Sequence, residues 1–280
     1  MVMKFKLVVE GLFKYLVPRR AFAASLAPTS RCNLRCVYCY ASSARFRDEL
    51  SVEGFSALCR WLKKSGVRLA VLTDGEPLLS VESRRKCLAA IGVFDDVWVV
   101  TNGTFRLPDW RCKFIVSLDG GEEVHDAARG RGVFKRVSQN VKEALGRGLP
   151  VYAHLVVSEA NCGRIEECVR DVNALGVDRV AVSFETPWRL SFEDRRRCVA
   201  KLVELSRSGL VLNSKYELRL MLTDWSRSCP TWFVRCFDAR GVEKKCVFGD
   251  VCYPLCGCLP YATALTLLRL RRPSLAGLFG

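Results

Sequence analysis

The sequence has two histidines, only 29 acidic residues against 44 lysines and arginines, and no apolar stretch long enough for a membrane span, which needs about 20 residues. Each shortage excludes something. With no long apolar run, a spanning helix is not expected. The deficit of acid leaves a formal net charge of +15, which implies attraction to an anionic partner: nucleic acid, a phosphorylated substrate or an acidic membrane surface. The charge is spread out, with small clusters at Arg84-Arg85-Lys86, Arg195-Arg196-Arg197 and Arg269-Leu270-Arg271-Arg272. Solvated helical faces carry such charge too, so it does not choose among these partners. Residues 1–10 show neither the uninterrupted apolar core nor the small-residue cleavage site of a signal peptide. The expectation is a cytoplasmic protein.

Half of the residues are hydrophobic and 26% are charged, enough for a sizeable core and too apolar for a disordered chain. Fifteen cysteines are many, but secreted disulfide scaffolds are short chains with a leader. A reducing compartment with thiols spent on metal accounts for them better. Cys32, Cys36 and Cys39 fall in a C-x3-C-x2-C spacing just after a strand-like run. Three thiolates can wrap one metal centre but supply only three ligands. A four-iron cube needs a ligand on each iron, so this loop would leave one iron for something else to coordinate. A zinc knuckle is the competing reading, yet a closed zinc site takes four ligands and no fourth Cys or His lies near.

From residue 21 the pattern repeats strand, turn and helix. Apolar runs at 21–27, 68–72, 96–100, 114–118, 151–157 and 179–184 read as buried strands. Helical periodicity lies between them at 52–64, 81–91, 134–147, 162–175 and 191–208. Ser51 opens one helix, and Gly66, Gly148 and Gly176 each follow one. Such alternation means βαβ units and a parallel sheet. Six strands are too few for a closed eight-stranded barrel. The rhythm stops after Gly209, which divides the chain into an N-terminal segment (1–20), a βα-repeat domain (21–210), a cysteine-rich segment (211–258) and an apolar, basic tail (259–280). Residues 4–20 have the spacing of a basic amphipathic helix, which would pack on the domain or lie on a membrane.

In parallel α/β folds the reactive groups gather at the carboxyl ends of the strands. The second strand ends in Thr73-Asp74-Gly75-Glu76-Pro77, the third in Thr101-Asn102-Gly103 and the fourth in Ser117-Leu118-Asp119-Gly120. Together with the cysteine loop and its Tyr38 and Tyr40, this ordered series resembles the radical S-adenosylmethionine (radical SAM) superfamily. The resemblance runs from about residue 16 to 258. It implies an α/β fold, a partial (β/α)6 TIM-like barrel with a small cysteine-rich C-terminal β-hairpin extension. It also implies that Cys32, Cys36 and Cys39 hold a [4Fe-4S] cluster whose open iron binds the amino and carboxylate groups of SAM. Tyr38, Gly75, Glu76, Asn102, Ser117 and Asp119 fall at the matching cofactor-binding positions. Asp74 stands where the family motif has its first Gly, a departure that bears on the loop's geometry. Asp119 could equally cap backbone amides. His125-Asp126 with Arg129-Gly130 resembles a segment of members that carry an auxiliary cluster. His125 reads as a loop-locking or capping residue, with general-base chemistry as the alternative. Residues 156–161 match a strand end that contacts adenine, and Asn161 could cap the following helix.

Residues 232–238 read as a strand, 239–241 as a hairpin turn and 242–246 as its return. The spacing of Cys229, Gly241 and Cys246, with Cys252, Cys256 and Cys258 beyond, resembles the SPASM and twitch extensions of radical SAM enzymes. That implies one auxiliary [4Fe-4S] cluster on Cys229, Cys246 and Cys256, with the fourth ligand from Cys252 or Cys258. Cys236 is set aside as an apolar strand residue, and four thiolates around one zinc is the alternative. Cys59, Cys87, Cys112, Cys162, Cys168 and Cys198 read as small buried hydrophobes.

The resemblance implies an enzyme that reductively cleaves SAM to a 5′-deoxyadenosyl radical, fed by a low-potential electron donor such as ferredoxin or flavodoxin. Residues 184–187 and 211–214 look most like a branch acting on lipids or isoprenoids, and the basic, apolar ends suit peripheral contact with an anionic membrane. A peptide- or cofactor-maturing radical SAM/SPASM enzyme is the alternative. A basic nucleic-acid-binding protein with structural metal clusters is the non-enzymatic rival, and ranks below both.

Overall fold

A computed structural model describes Glu10 and residues 21–41, 48–186, 189–222 and 232–246. The rest of the 4–20 segment, Cys229, Cys252, Cys256, Cys258 and the 259–280 tail lie outside the described residues. In chain order the elements are β1 (Ala23–Leu26), α1 (Val52–Lys64), β2 (Leu69–Leu72), α2 (Val81–Val93), β3 (Asp96–Thr101) and β4 (Lys113–Ser117). They continue with α3 (Glu122–Arg129), α4 (Val133–Gly146), β5 (Val151–Val157), α5 (Ile165–Asn173), β6 (Val180–Phe184), α6 (Phe192–Arg207), α7 (Lys215–Leu220), β7 (Val234–Phe237) and β8 (Glu243–Lys244). A single 3-10 turn, Cys162–Arg164, leads into α5.

Local chemistry sets these boundaries. The Ser51 hydroxyl accepts a hydrogen bond from Gly54 N at 3.1 Å and so starts α1, satisfying one of the donors that a helix N-terminus leaves unpaired. The helix then buries Phe55, Cys59 and Leu62 at helical spacing. Ser214 and Glu217 form a capping box on α7. That short helix and α3 are the two that apolar periodicity alone does not reveal.

All eight strands form one sheet in the order β6-β5-β4-β3-β2-β1-β7-β8. Strands β1 to β6 pair in parallel, in the order the sequence predicts. The sheet is a partial barrel that does not close. β7 pairs in parallel with β1, and β8 returns antiparallel on β7. The described part of the C-terminal segment thus continues the barrel sheet at its β1 edge, where unpaired backbone groups would otherwise remain.

The two faces of the sheet differ. The helix-facing side buries Ala24, Leu26, Ala70, Leu72, Val97, Val99, Phe114 and Val116 in the main core. The inner side has a smaller cluster of Phe22, Leu69, Trp98 and Phe233, with Val71, Ile115 and Tyr152 only partly covered. In β5 the alternation is complete: Val151, Ala153, Leu155 and Val157 are buried, while Tyr152, His154 and Val156 are half-buried, as the period of two in a strand requires. The inner side is therefore a lumen with an aromatic floor.

Candidate active site

The cysteine loop lies across the carboxyl ends of β2, β3 and β4, and each end contributes a different anchor. Gly75 sits at φ +52° against the loop backbone, where an added Cβ would lie 2.5 Å from both Thr29 O and Arg31 O. Only glycine meets both the left-handed backbone and the lack of space. Glu76 N donates to Arg31 O at 2.8 Å. The Glu76 carboxylate is fully buried and accepts from Leu78 N (2.9 Å), the Thr101 hydroxyl (2.7 Å) and Asn102 N (2.7 Å). Burial pushes its pKa above the ordinary carboxylate value, and those three donors hold it back.

Asn102, at the end of β3, donates to Asn33 Oδ1 at 2.8 Å and to Cys32 Sγ at 3.7 Å. Cys32 Sγ also accepts from Leu34 N at 3.4 Å. Thr29 and Ser30 enter the loop held by Glu49, whose Oε1 accepts from both hydroxyls and from Ser30 N at 2.7–3.0 Å.

The end of β4 builds a second fully buried carboxylate. Asp119 accepts from Arg129 Nε at 2.6 Å, Arg129 Nη2 at 3.4 Å, Val156 N at 3.2 Å and the Tyr38 hydroxyl. Burial alone would raise its pKa, but the Arg129 guanidinium outweighs it and holds the carboxyl below the usual range. The same Asp119 charge, after burial, raises the Tyr38 phenol well above its ordinary value. Arg129 extends Nη1 to 3.9 Å from Cys36 Sγ and stacks its guanidinium 5.5 Å from the Tyr38 ring centre. A buried cation beside a cysteine favours the thiolate that a metal requires: burial raises the Cys36 thiol and Arg129 pulls it back.

In the structure the Asp119 carboxylate faces side-chain and backbone donors. His125 locks the loop. It is fully buried, its Nδ1 accepts from Asp119 N at 3.4 Å, and burial lowers its pKa to about 4. Asp126 accepts from Gly132 N and Phe134 N at 2.5 and 2.8 Å and so caps α4. Asn161 does not cap a helix by its side chain, contrary to the capping expectation. It accepts from Ser158 N and donates to Val156 O and Asp119 O at 2.8–3.2 Å, tying the β5 end to the β4 end. Those three backbone partners draw the side chain inward, away from the helix that follows.

Cys59, Cys87, Cys112 and Cys168 are buried and free, as their spacing suggests, and Cys236 is buried. Cys162 and Cys198 are not mere buried hydrophobes: they form a disulfide with Cα atoms 6.0 Å apart. The 3-10 turn and α6 meet there, a proximity that a separation of 36 residues hides in sequence. Cys246 ends the hairpin and is buried. Asn213, from the stretch that suggested a lipid branch, bonds both Val182 N and Val182 O at the open edge of β6, at 2.7 and 3.2 Å, which is a role in the fold.

Two contributors escape the sequence: Arg129 as a neighbour of the cysteine loop, and His154. The latter projects from β5 beside Ser117, with Nε2 3.0 Å from the Ser183 hydroxyl. A signal for it exists, since Tyr152 and His154 are the polar residues at every second position of an otherwise apolar strand.

Cys32, Cys36 and Cys39 are half-buried, and donors from three elements point at two of those sulfurs. This donor set fits an iron-sulfur cluster. Among the described residues no group of three His, Cys, Asp or Glu side chains converges on one ion. A four-iron cube offers each thiolate its own iron and needs no common point.

Comparison with known proteins agrees with this geometry. Residues 26–159 match the radical SAM superfamily model. The chain is 30% identical over 161 residues to the sporulation killing factor maturation protein SkfB of Bacillus subtilis, an alignment covering 52% of this chain and 38% of SkfB. It is 32% identical over 177 residues to the antilisterial bacteriocin subtilosin biosynthesis protein AlbA of the same organism, covering 59% of this chain and 39% of AlbA. The chain thus spans less than two fifths of the length of these curated relatives. Among solved structures, Streptococcus suis SuiB bound to precursor peptide SuiA shares the fold, with a TM-score of 0.69 at 14% identity over 97% of this chain and 69% of that one. Among the described residues no helix is long and apolar enough to cross a membrane. Three thiols anchored over the strand ends, the sheet order and the matched superfamily model together mark residues 26–159 as a radical SAM domain, of a superfamily whose members use a [4Fe-4S] cluster and SAM.

Proposed function

We propose that this chain is a radical SAM enzyme that matures a peptide. The observation that carries the reading is the Cys36–Arg129–Asp119–Tyr38 constellation, which binds the cysteine loop to the mouth of the barrel. When bound, the cluster and SAM supply an electron and a 5′-deoxyadenosyl radical able to abstract hydrogen. Cys32, Cys36 and Cys39 would hold the cluster. Gly75, Glu76, Asn102 and Ser117 line the strand ends next to it, as candidate SAM contacts. Arg129 compensates thiolate charge, while Asp119, His125 and Asn161 keep that cation in place.

The names of SkfB and AlbA speak of maturing a sporulation killing factor and of biosynthesis of a bacteriocin, and SuiB binds a precursor peptide; these favour a peptide over the lipid or isoprenoid substrate suggested by residues 184–187 and 211–214. The lumen supports this. Among the described residues its upper wall offers Val100, Ile115, Tyr152, His154, Val156 and Ser183, and His154 is held neutral by burial, which lowers its pKa to about 4. Such a wall suits an uncharged side chain, with a few polar groups to orient it.

Anaerobically reconstituted protein given dithionite and SAM is expected to form 5′-deoxyadenosine, and Cys36→Ala is expected to form none. Turnover in that variant would overturn the reading. Cys246 and the cysteines at 229, 252, 256 and 258 would carry one auxiliary cluster. About eight irons per chain is the expected content, about four would leave only the SAM cluster, and about one zinc would replace the auxiliary assignment. Co-sedimentation that requires anionic liposomes would return the substrate to the lipid class.

A further inference from the structure

Asp74 occupies the position where the family motif has glycine, and its backbone shows why glycine is usual there: φ is +67°, and among the described residues no other non-glycine residue has a positive φ. Asp tolerates this region better than most residues, yet it is still a strained choice. Its side chain supplies what glycine could not. Oδ1 accepts from the Tyr40 hydroxyl at 2.6 Å, and Oδ2 accepts from Lys244 Nζ at 3.0 Å. Tyr40 directly follows Cys39 of the cluster loop, and Lys244 precedes Cys246 of the hairpin by two residues. One carboxylate thus joins two cysteine segments, and its bond to Lys244 spans 170 positions of sequence.

The strand pairing of the arm is short. β8 pairs with β7 through only two residue pairs, Cys236 with Lys244 and Phe237 with Glu243. Arg235 binds Glu243 through Nε and Nη2 at 2.6–2.7 Å, so Glu243 and Lys244 are fixed by charges on different neighbours. The Asp74–Lys244 pair is well shielded, with side chains 13% and 17% exposed, which puts it above the weak class of fully solvated surface pairs.

We propose that Asp74 is a positioning residue that fixes the C-terminal cysteine segment against the SAM-cluster loop, so that the two cysteine segments keep one relative placement. The geometry itself does not depend on the proposed function; its consequence for the cluster rests on that reading.

The test uses the full chain. Asp74→Gly restores the residue usual in the family and relieves the backbone, so the fold should survive. Hydrogen exchange is expected to rise roughly tenfold in peptides covering both 36–41 and 242–246. Lys244→Met should raise it in 242–246 alone, and Tyr40→Phe in 36–41 alone. In reconstituted protein, Asp74→Gly and Lys244→Met should both alter the EPR signal of the reduced cluster, a readout that a purely local structural role would not move. Wild-type exchange over 242–246 in both Asp74→Gly and Lys244→Met, or an unchanged EPR signal in both, would overturn the proposal. If wild-type protein gives no cluster signal at all, the radical SAM reading fails, while the exchange measurement still decides the contact.

Discussion

The two sides of the barrel mouth are built differently. On the β2–β4 side, buried ionic and amide groups gather around the cysteine loop: Glu76, Asn102 and Asp119 each have several partners, and Arg129 links Asp119 to Cys36. On the β5–β6 side, the polar groups that face the lumen have few partners, and His154 with Ser183 is a single contact. A buried charge left without partners costs far more than a neutral pair near solvent. The first side is therefore fixed for holding a cofactor. The second keeps polar groups able to turn toward a substrate.

The largest effect should come from breaking the fixed side. Arg129→Met leaves Asp119 buried without its counter-charge and is expected to cost about 3–5 kcal/mol of stability, read by urea unfolding, with loss of iron on reconstitution. A loss below about 1 kcal/mol would show that the mouth tolerates an unpaired Asp119. Acid should attack the same side next. The His125 imidazole takes up its proton near pH 6.5 when unfolded but only near pH 4 when folded. Its contribution is complete above about pH 6.5 and is lost as pH falls toward 4, roughly 3 kcal/mol in all. His125→Phe should flatten that part of the pH dependence of the unfolding midpoint. If the slope is unchanged, His125 is not its source.

Asn161→Ala tests the joint between the two sides. Losing its bonds to Ser158, Val156 and Asp119 should cost about 1–3 kcal/mol, measured in the same way. The smallest effect belongs to the lumen. Ser183→Ala should lower stability by about 1 kcal/mol or less and leave iron content intact, while changing the rate of substrate-dependent 5′-deoxyadenosine formation. Equal loss of iron in Ser183→Ala and Arg129→Met would erase the contrast between the two sides.

Most of the fold is legible in the sequence because it rests on local patterns. Apolar runs mark all six strands of the barrel, Ser51 marks the start of α1, and the turn at 239–241 marks the hairpin. The cysteine loop is legible for the same reason, since its spacing is local. Pairings between distant residues leave no such trace. Arg129 with Cys36, Asp74 with Lys244 and Cys162 with Cys198 depend on how loops cross the strand ends. Asn161 reads as a cap because the same residue type serves both as a helix cap and as a clamp on backbone. The short helices α3 and α7 escape because eight and six residues carry too little periodicity.

The parallel pairing of β1 with β7 also sets an order of events during synthesis. β1 is made before every other described strand, yet one of its two neighbours is not complete until Phe237 has been added. Until then its outer edge carries unpaired amides and carbonyls, open to other chains. A nascent chain arrested before residue 234 would therefore be expected to aggregate, and β7 with β8 would act as the closing seam of β1.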